Sequence, residues 1–204
     1  MTKTEENLRW TDRFEGPITR ILASSFRVAR SCVTLPSDRE DRRDAKDFGL
    51  IIDGHERVVM ARMRTEARGT RFFGSDFTLR MGFKKDAAIK TEMDKVFFDG
   101  FGDILFYGLD DGAYNITRYR ILRVSALRKT FTYDKQRGLI LSRITGLTVG
   151  KRESNQGDDD TFFWTFPLLE MPDDFDFKLP GSEPLPRKPD PAAGTFFEGL
   201  HLNA

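Results

Sequence analysis

The chain has 204 residues, 33 Lys+Arg against 32 Asp+Glu for a net charge of +1, and 39% hydrophobic residues. That length suits one compact domain with trimmings, and the charge balance removes the whole-protein cationic field that would by itself argue for nucleic acid. A single cysteine, Cys32, excludes an intramolecular disulfide and a multi-cysteine zinc site, and two histidines, His55 and His201, leave little room for a metal cluster or a triad. Walker, GxGxxG and GxSxG motifs are missing, which disfavours P-loop NTPase, dinucleotide and α/β-hydrolase chemistry. The polar start MTKTEENLRW has no apolar signal core, and apolar runs such as Ile104–Tyr107 fall far short of a membrane span. The expectation is a cytoplasmic protein that does not enter a membrane.

In chain order, Gly16-Pro17 predicts the start of a helix, because the missing N–H of proline has no partner in a first turn anyway. Ile18, Ile21, Leu22, Ser25 and Phe26 follow at helical spacing. The mixed charges of residues 36–44 read as a solvated loop or a polar helical turn. Residues 47–64 form the clearest hairpin, two strand-like runs around Asp53-Gly54-His55, with Val58, Met60 and Arg62 on one face and Val59, Ala61 and Met63 on the other. A third short strand covers residues 76–80, where Asp76, Thr78 and Arg80 share a face. A helix is expected from about Asp86 to Asp99, with Ile89, Met93, Val96 and Phe97 as its apolar stripe and Gly100 as its stop. Glu92 falls roughly 60° from Ile89, at the edge of that stripe.

Asp103–Gly108 reads as a buried strand with an acid at its mouth. Tyr114–Leu122 looks extended, and Val124–Lys129 suggests a short helix. Gly138–Val149 and Thr161–Leu169 suggest two more strands joined by the polar loop Gly150–Asp160. The reading is a single α+β domain over 1–171, its core at about 14–125 and a β extension at 126–171, followed by a Pro-rich acidic tail over 172–204. Phe196, Phe197, Leu200 and Leu202 give the tail an apolar terminus that could dock on its own domain, on a second copy or on a protein partner.

The order helix, three strands, helix, strand, with an acid beside a hairpin, resembles the αβββαβ core of PD-(D/E)XK nucleases. The strings DAKDFGLI (44–51), VVMARMR (58–64), SDFTLR (75–80), KTEMDKV (90–96) and GFGDILFYG (100–108) are similar to those of an uncharacterised group of phage-encoded and prophage proteins. The resemblance spans roughly residues 7–125. It implies a mixed sheet and metal-dependent cleavage of DNA or RNA, with two carboxylates holding Mg²⁺ and a lysine serving the attacking water.

Under that resemblance Asp47, Asp76 and Glu92 are the candidate metal ligands and catalytic acids, with Lys95, or Lys90, as the lysine. The return strand of the hairpin carries Arg62-Met63-Arg64 where acid-x-Lys would stand, and the third strand again ends in an arginine, Arg80. Arginine neither binds Mg²⁺ nor gives up a proton readily. Arg62, Arg64 and Arg80 are therefore candidates for a phosphate-binding patch or for one ion-pair network, with Glu92 a candidate partner of Arg62 or Arg80. Two functions stand side by side. One is a phage-related nucleic-acid-processing protein resembling metal-dependent nucleases, its catalytic site active or degenerate. The other is a non-enzymatic nucleic-acid- or protein-binding module in phage–host interaction.

Weaker signals accompany these. Arg118–Arg123 with Arg128 and Lys129 alternates cations with apolar residues and reads as a solvated face. Phenylalanines near Arg68, Arg71, Lys84 and Lys85 could stack on bases, although core packing explains most of the 19 more simply. His55 belongs to the hairpin turn, Cys32 reads as a small buried residue, and His201 has no ligand partners in sequence.

Overall fold

A computed structural model describes residues 3–36, 46–65, 76–83, 91–153, 161–179 and 181. Helix α1, Lys3–Phe26, runs straight through Pro17 instead of starting there. Phe14, Ile18 and Leu22 explain this: spaced by four, they lie on both sides of the proline and are all buried against the main sheet. Tertiary packing of that stripe offsets the hydrogen bond that proline removes, a cost of about 3 kcal/mol.

After a single 3₁₀ turn at Arg30–Cys32 come β1 (Val33–Thr34), β2 (Phe48–Ile52) and β3 (His55–Thr65). The β2–β3 hairpin closes on Asp53 (φ 51°) and Gly54 (φ 76°), and Ile52 pairs with His55. Two successive positive φ angles are what a two-residue turn needs to match strand twist. His55 is therefore the first residue of β3, and it is exposed. Strand β4 is Asp76–Phe83, α2 is Glu92–Phe97, β5 is Ile104–Asp110, β6 is Ile116–Arg123 and α3 is Val124–Thr130. Strands β7 (Phe131–Asp134), β8 (Leu139–Ser142), β9 (Gly150–Glu153) and β10 (Thr161–Pro167) follow.

The main sheet has the order β1-β2-β3-β5-β6, with β3 and β5 parallel and the other pairs antiparallel. One face carries Phe48, Leu50, Val59, Ile104, Phe106 and Ile121 against α1. The opposite face carries Met60, Leu105, Tyr107, Leu109 and Leu122 against β4, α2, α3 and β10. The hairpin alternation read from sequence thus places Val59 and Met60 in different cores. The architecture is α+β with a mixed five-stranded sheet.

Several elements differ from the sequence reading. The third strand leaves the main sheet: β4 pairs with β10 in a separate sheet of order β4-β10-β9, with Thr78 opposite Thr165. Helix α2 begins at Glu92, because Thr91 is extended (φ −93°, ψ 171°) and forms a capping box with Asp94. Ile89 and Lys90, expected within that helix, lie outside the described residues. Phe131–Asp134 is a strand the periodicity did not predict, and it pairs with β8. Gly150–Glu153, expected within a loop, pairs with β10. Within residues 172–179, read from sequence as the start of the tail, Phe175 and Asp176 are buried and Phe177 and Leu179 pack on the α1-side core. Phe175 O accepts the Arg123 N–H at 2.7 Å, and Phe177 N–H donates to Ile121 O at 2.8 Å. Cys32 is half-buried rather than enclosed. Residues 37–45, Arg68, Arg71, Lys84, Lys85, Phe196, Phe197, Leu200, His201 and Leu202 lie outside the described residues. Among the described residues no helix is long and apolar enough to cross a membrane.

Candidate anion-binding site

Parallel pairing of β3 with β5 sets Arg62 beside Tyr107, and antiparallel pairing of β5 with β6 sets Tyr107 beside Arg120. On the face away from α1, this register row is cation, phenol, cation. Arg64, two residues along β3, joins the row diagonally. Its Nε donates to Tyr107 Oη at 3.1 Å, and its Nη2 donates to Thr78 Oγ1 of β4 at 2.6 Å.

Glu92 approaches from the first turn of α2. Its Oε1 pairs with Arg62 Nη2, and its Oε2 accepts the backbone N–H of Arg80 at 3.0 Å. The carboxylate thereby joins β3 to the open edge of β4. Asp47 stands just before β2, where its Oδ2 accepts the Ala61 N–H at 2.5 Å. Burial lowers the Arg62 pKa to about 10, an effect opposed by the charge of Asp47 and reinforced by Arg80 and Arg64. A third of the Arg62 side chain remains accessible, and at neutral pH it is still a cation.

The structure therefore brings Asp47, Arg62, Arg64, Arg80 and Glu92 together. Asp76 opens β4 opposite Pro167, and its side chain lies outside the described residues. Lys95 lies one helical turn beyond Glu92 with its side chain buried. Asp103, the acid at the mouth of β5, fastens that strand to β3. Its Oδ2 accepts the Val58 N–H at 2.8 Å, and its own N–H donates to Val58 O at 2.9 Å.

Among the described residues, the donor set does not fit a divalent cation. Both oxygens of Glu92 are engaged, one by a guanidinium and one by a main-chain N–H. An Mg²⁺ ion bound there would have to displace Arg62 and would add two charges beside Arg64 and Arg80. Among the described residues, no cluster of three His, Cys, Asp or Glu side chains is arranged to hold a metal.

What the arrangement can do is bind an anion. Arg62 is balanced by Glu92, whereas Arg64 is positioned by two neutral hydroxyls and has no carboxylate partner among the described residues. Two of its five N–H donors are used for orientation, and the rest remain for a ligand. Sequence reasoning found the three arginines and missed Tyr107, which reads only as a core aromatic of an apolar strand. Thr78 carried a signal, sharing a face with Asp76 and Arg80.

The basic run after Tyr114 is largely structural. Arg120 is buried, and Arg123 Nη1 donates to Asp174 O and Asp176 O while its guanidinium lies 3.9 Å from the Phe177 ring centroid. Arg128 Nη1 donates to the carbonyls of Val96, Phe101 and Gly102. Compared with protein-family models, curated proteins and solved structures, the chain matches none.

Proposed function

We propose that this chain binds a nucleic acid through its phosphates, with Arg64 as the primary contact and Arg62 and Arg80 supporting it, and that it does so without hydrolysis. The observation that carries the reading is the Arg64 guanidinium, held in place by Tyr107 and Thr78 rather than by a carboxylate. A fixed planar fork recognises phosphate oxygens in pairs, and neighbouring cations raise the local potential without any net charge on the whole protein. The resemblance of the sequence strings to phage proteins with a PD-(D/E)XK-like core supports nucleic acid as the source of the phosphate. On this reading the core is a catalytically degenerate one, with Arg62 bound to Glu92 in place of Mg²⁺.

The test is retention of labelled single- and double-stranded DNA and RNA, measured by fluorescence anisotropy over a salt series, with a cleavage assay in Mg²⁺, Mn²⁺ and EDTA alongside. Salt-sensitive binding that weakens at least about tenfold in Arg64→Ala, with no cleavage, supports the proposal. Metal-dependent cleavage lost in both Asp47→Ala and Glu92→Ala would overturn it in favour of a nuclease. Absence of binding to every probe would also overturn it.

A further inference from the structure

The hydroxyl of Thr165 in β10 is buried and unused. The residue is 7% exposed, and among the described residues its Oγ1 has no hydrogen-bond partner. A polar atom left in that state costs the free protein stability, and an apolar group of the same shape in its place is neutral or favourable. A ligand that completes the bonding accounts for such an atom.

Strand register sets this hydroxyl beside the arginine cluster. Thr165 stands directly opposite Thr78 of β4, so the two side chains share one face with their Cβ atoms about 4.5–5.5 Å apart. Thr78 Oγ1 accepts from Arg64 Nη2 at 2.6 Å, which leaves the Thr78 hydroxyl its own proton to give. On its other side Thr165 faces Gly150 of β9. A Cβ at Gly150 would meet only Thr165 Cβ, at 3.8 Å, so space stays open on the β9 side of Thr165.

A guanidinium fork takes two oxygens of one group, and a hydroxyl beside it can take a third. An internal phosphodiester offers two unesterified oxygens and one charge, and its strand must pass both into and out of the site. A phosphate monoester offers three such oxygens and about −1.5 to −2 charges at neutral pH. It also arrives as a chain end, which can reach a nearly enclosed hydroxyl. We propose, resting on Arg64 as the phosphate contact of the preceding section, that the site receives the terminal phosphate of a nucleic-acid strand, with Thr165 Oγ1 donating to its third oxygen.

The experiment is fluorescence anisotropy of the full chain with internally labelled DNA and RNA oligonucleotides of one sequence, ending in a 5′-phosphate, a 3′-phosphate or hydroxyls only. One of the phosphorylated strands should bind about tenfold or more tighter than the hydroxyl-ended one, and the pair distinguishes which end is read. Thr165→Val should lose that preference and Thr165→Ser should keep it. The melting temperature of Thr165→Val should equal or exceed that of wild type, because the deleted hydroxyl has no partner among the described residues. Binding that ignores the end group but still falls in Arg64→Ala would overturn the terminal phosphate and leave the proposed function standing. A preference kept in Thr165→Val, or lost there together with a lowered melting temperature, would overturn the role of Thr165. Absence of binding to every probe would overturn both.

Discussion

Arg62 of β3 and Glu92 of α2 form an ion pair whose carboxylate also closes the edge of β4 by accepting the Arg80 N–H. One side chain thus fixes the relative positions of two sheets and a helix. The negative charge is favourable where it stands, in the first turn of α2. Glu92→Gln keeps the shape and an acceptor for Arg80, but leaves the desolvated Arg62 cation without its counter-charge. The expected loss is about 2 kcal/mol, below the 3–5 typical of a fully buried pair because Arg62 is partly exposed. A urea midpoint shift at constant slope would measure it. A midpoint equal to wild type would show that the pair does not hold the layers.

Tyr107→Phe should leave the fold intact and weaken nucleic-acid binding several-fold, since Arg64 would keep its charge and lose one of its two orienting acceptors. Arg64→Lys should be nearly as damaging as Arg64→Ala, because an ammonium cannot reproduce the fork. Anisotropy titrations at one salt concentration compare the three variants directly. Equal affinity of Arg64→Lys and wild type would mean that only charge matters at this position.

Asp94 links stability to pH. Burial disfavours its charged form, but Lys135 and the Thr91 backbone and hydroxyl groups win, and its pKa is held below the usual 3.8. A depressed folded-state pKa stabilises the fold at pH values above the unfolded-state pKa, and that contribution is lost as pH falls through the folded value. Asp94→Asn should therefore be less stable than wild type at neutral pH, by about 1 kcal/mol for a weakened cap. The difference should shrink as acid protonates Asp94 in the wild-type protein. Melting temperatures of both proteins from neutral pH downward would show the curves converging; a constant gap would exclude the linkage.

Arg128 should tolerate little change. Its Nη1 serves three carbonyls around the end of α2 and the turn that leads into β5, and burial lowers its pKa against an opposing pull from Asp103. Arg128→Met keeps much of the side-chain volume and abandons those acceptors, for an expected loss of about 1–3 kcal/mol. Thermal unfolding would report it, together with faster amide exchange at Phe98 and Phe101, which donate to Asp94 O and Lys95 O.

The hairpin was legible because Asp53-Gly54 is a local signal and strict alternation follows it. Strand β5 and helix α3 were legible for similar local reasons. Strand β7 was not, since Phe131 follows the last residue of α3 with no turn residue between them. The start of α1 is not legible because a proline rule acts over one turn, while the Phe14–Leu22 stripe acts through contact with a sheet formed much later in the chain. At the candidate site, charge and spacing offer Arg62 and Arg80 alike as partners of Glu92, and the fold pairs it with Arg62. The Arg64–Tyr107 bond joins residues 43 positions apart and depends on the β3–β5 register, which passes through a crossover that includes β4 and α2. No local pattern encodes that register.

The segment from Pro172 to Leu179 has a consequence for self-recognition. By bonding to Arg123 and Ile121 through Phe175 and Phe177, with Asp176 bridging Leu122, it occupies main-chain groups at the C-terminal end of β6 that would otherwise be open to another strand. At the far side of the sheet the last strand is β1, only two residues long. Both margins of the five-stranded sheet are thus blunted, one by a strap and one by brevity, which is how sheet proteins avoid templating fibrils. A chain cut after Met171 would keep most of its core and lose that protection, so its first defect would be insolubility.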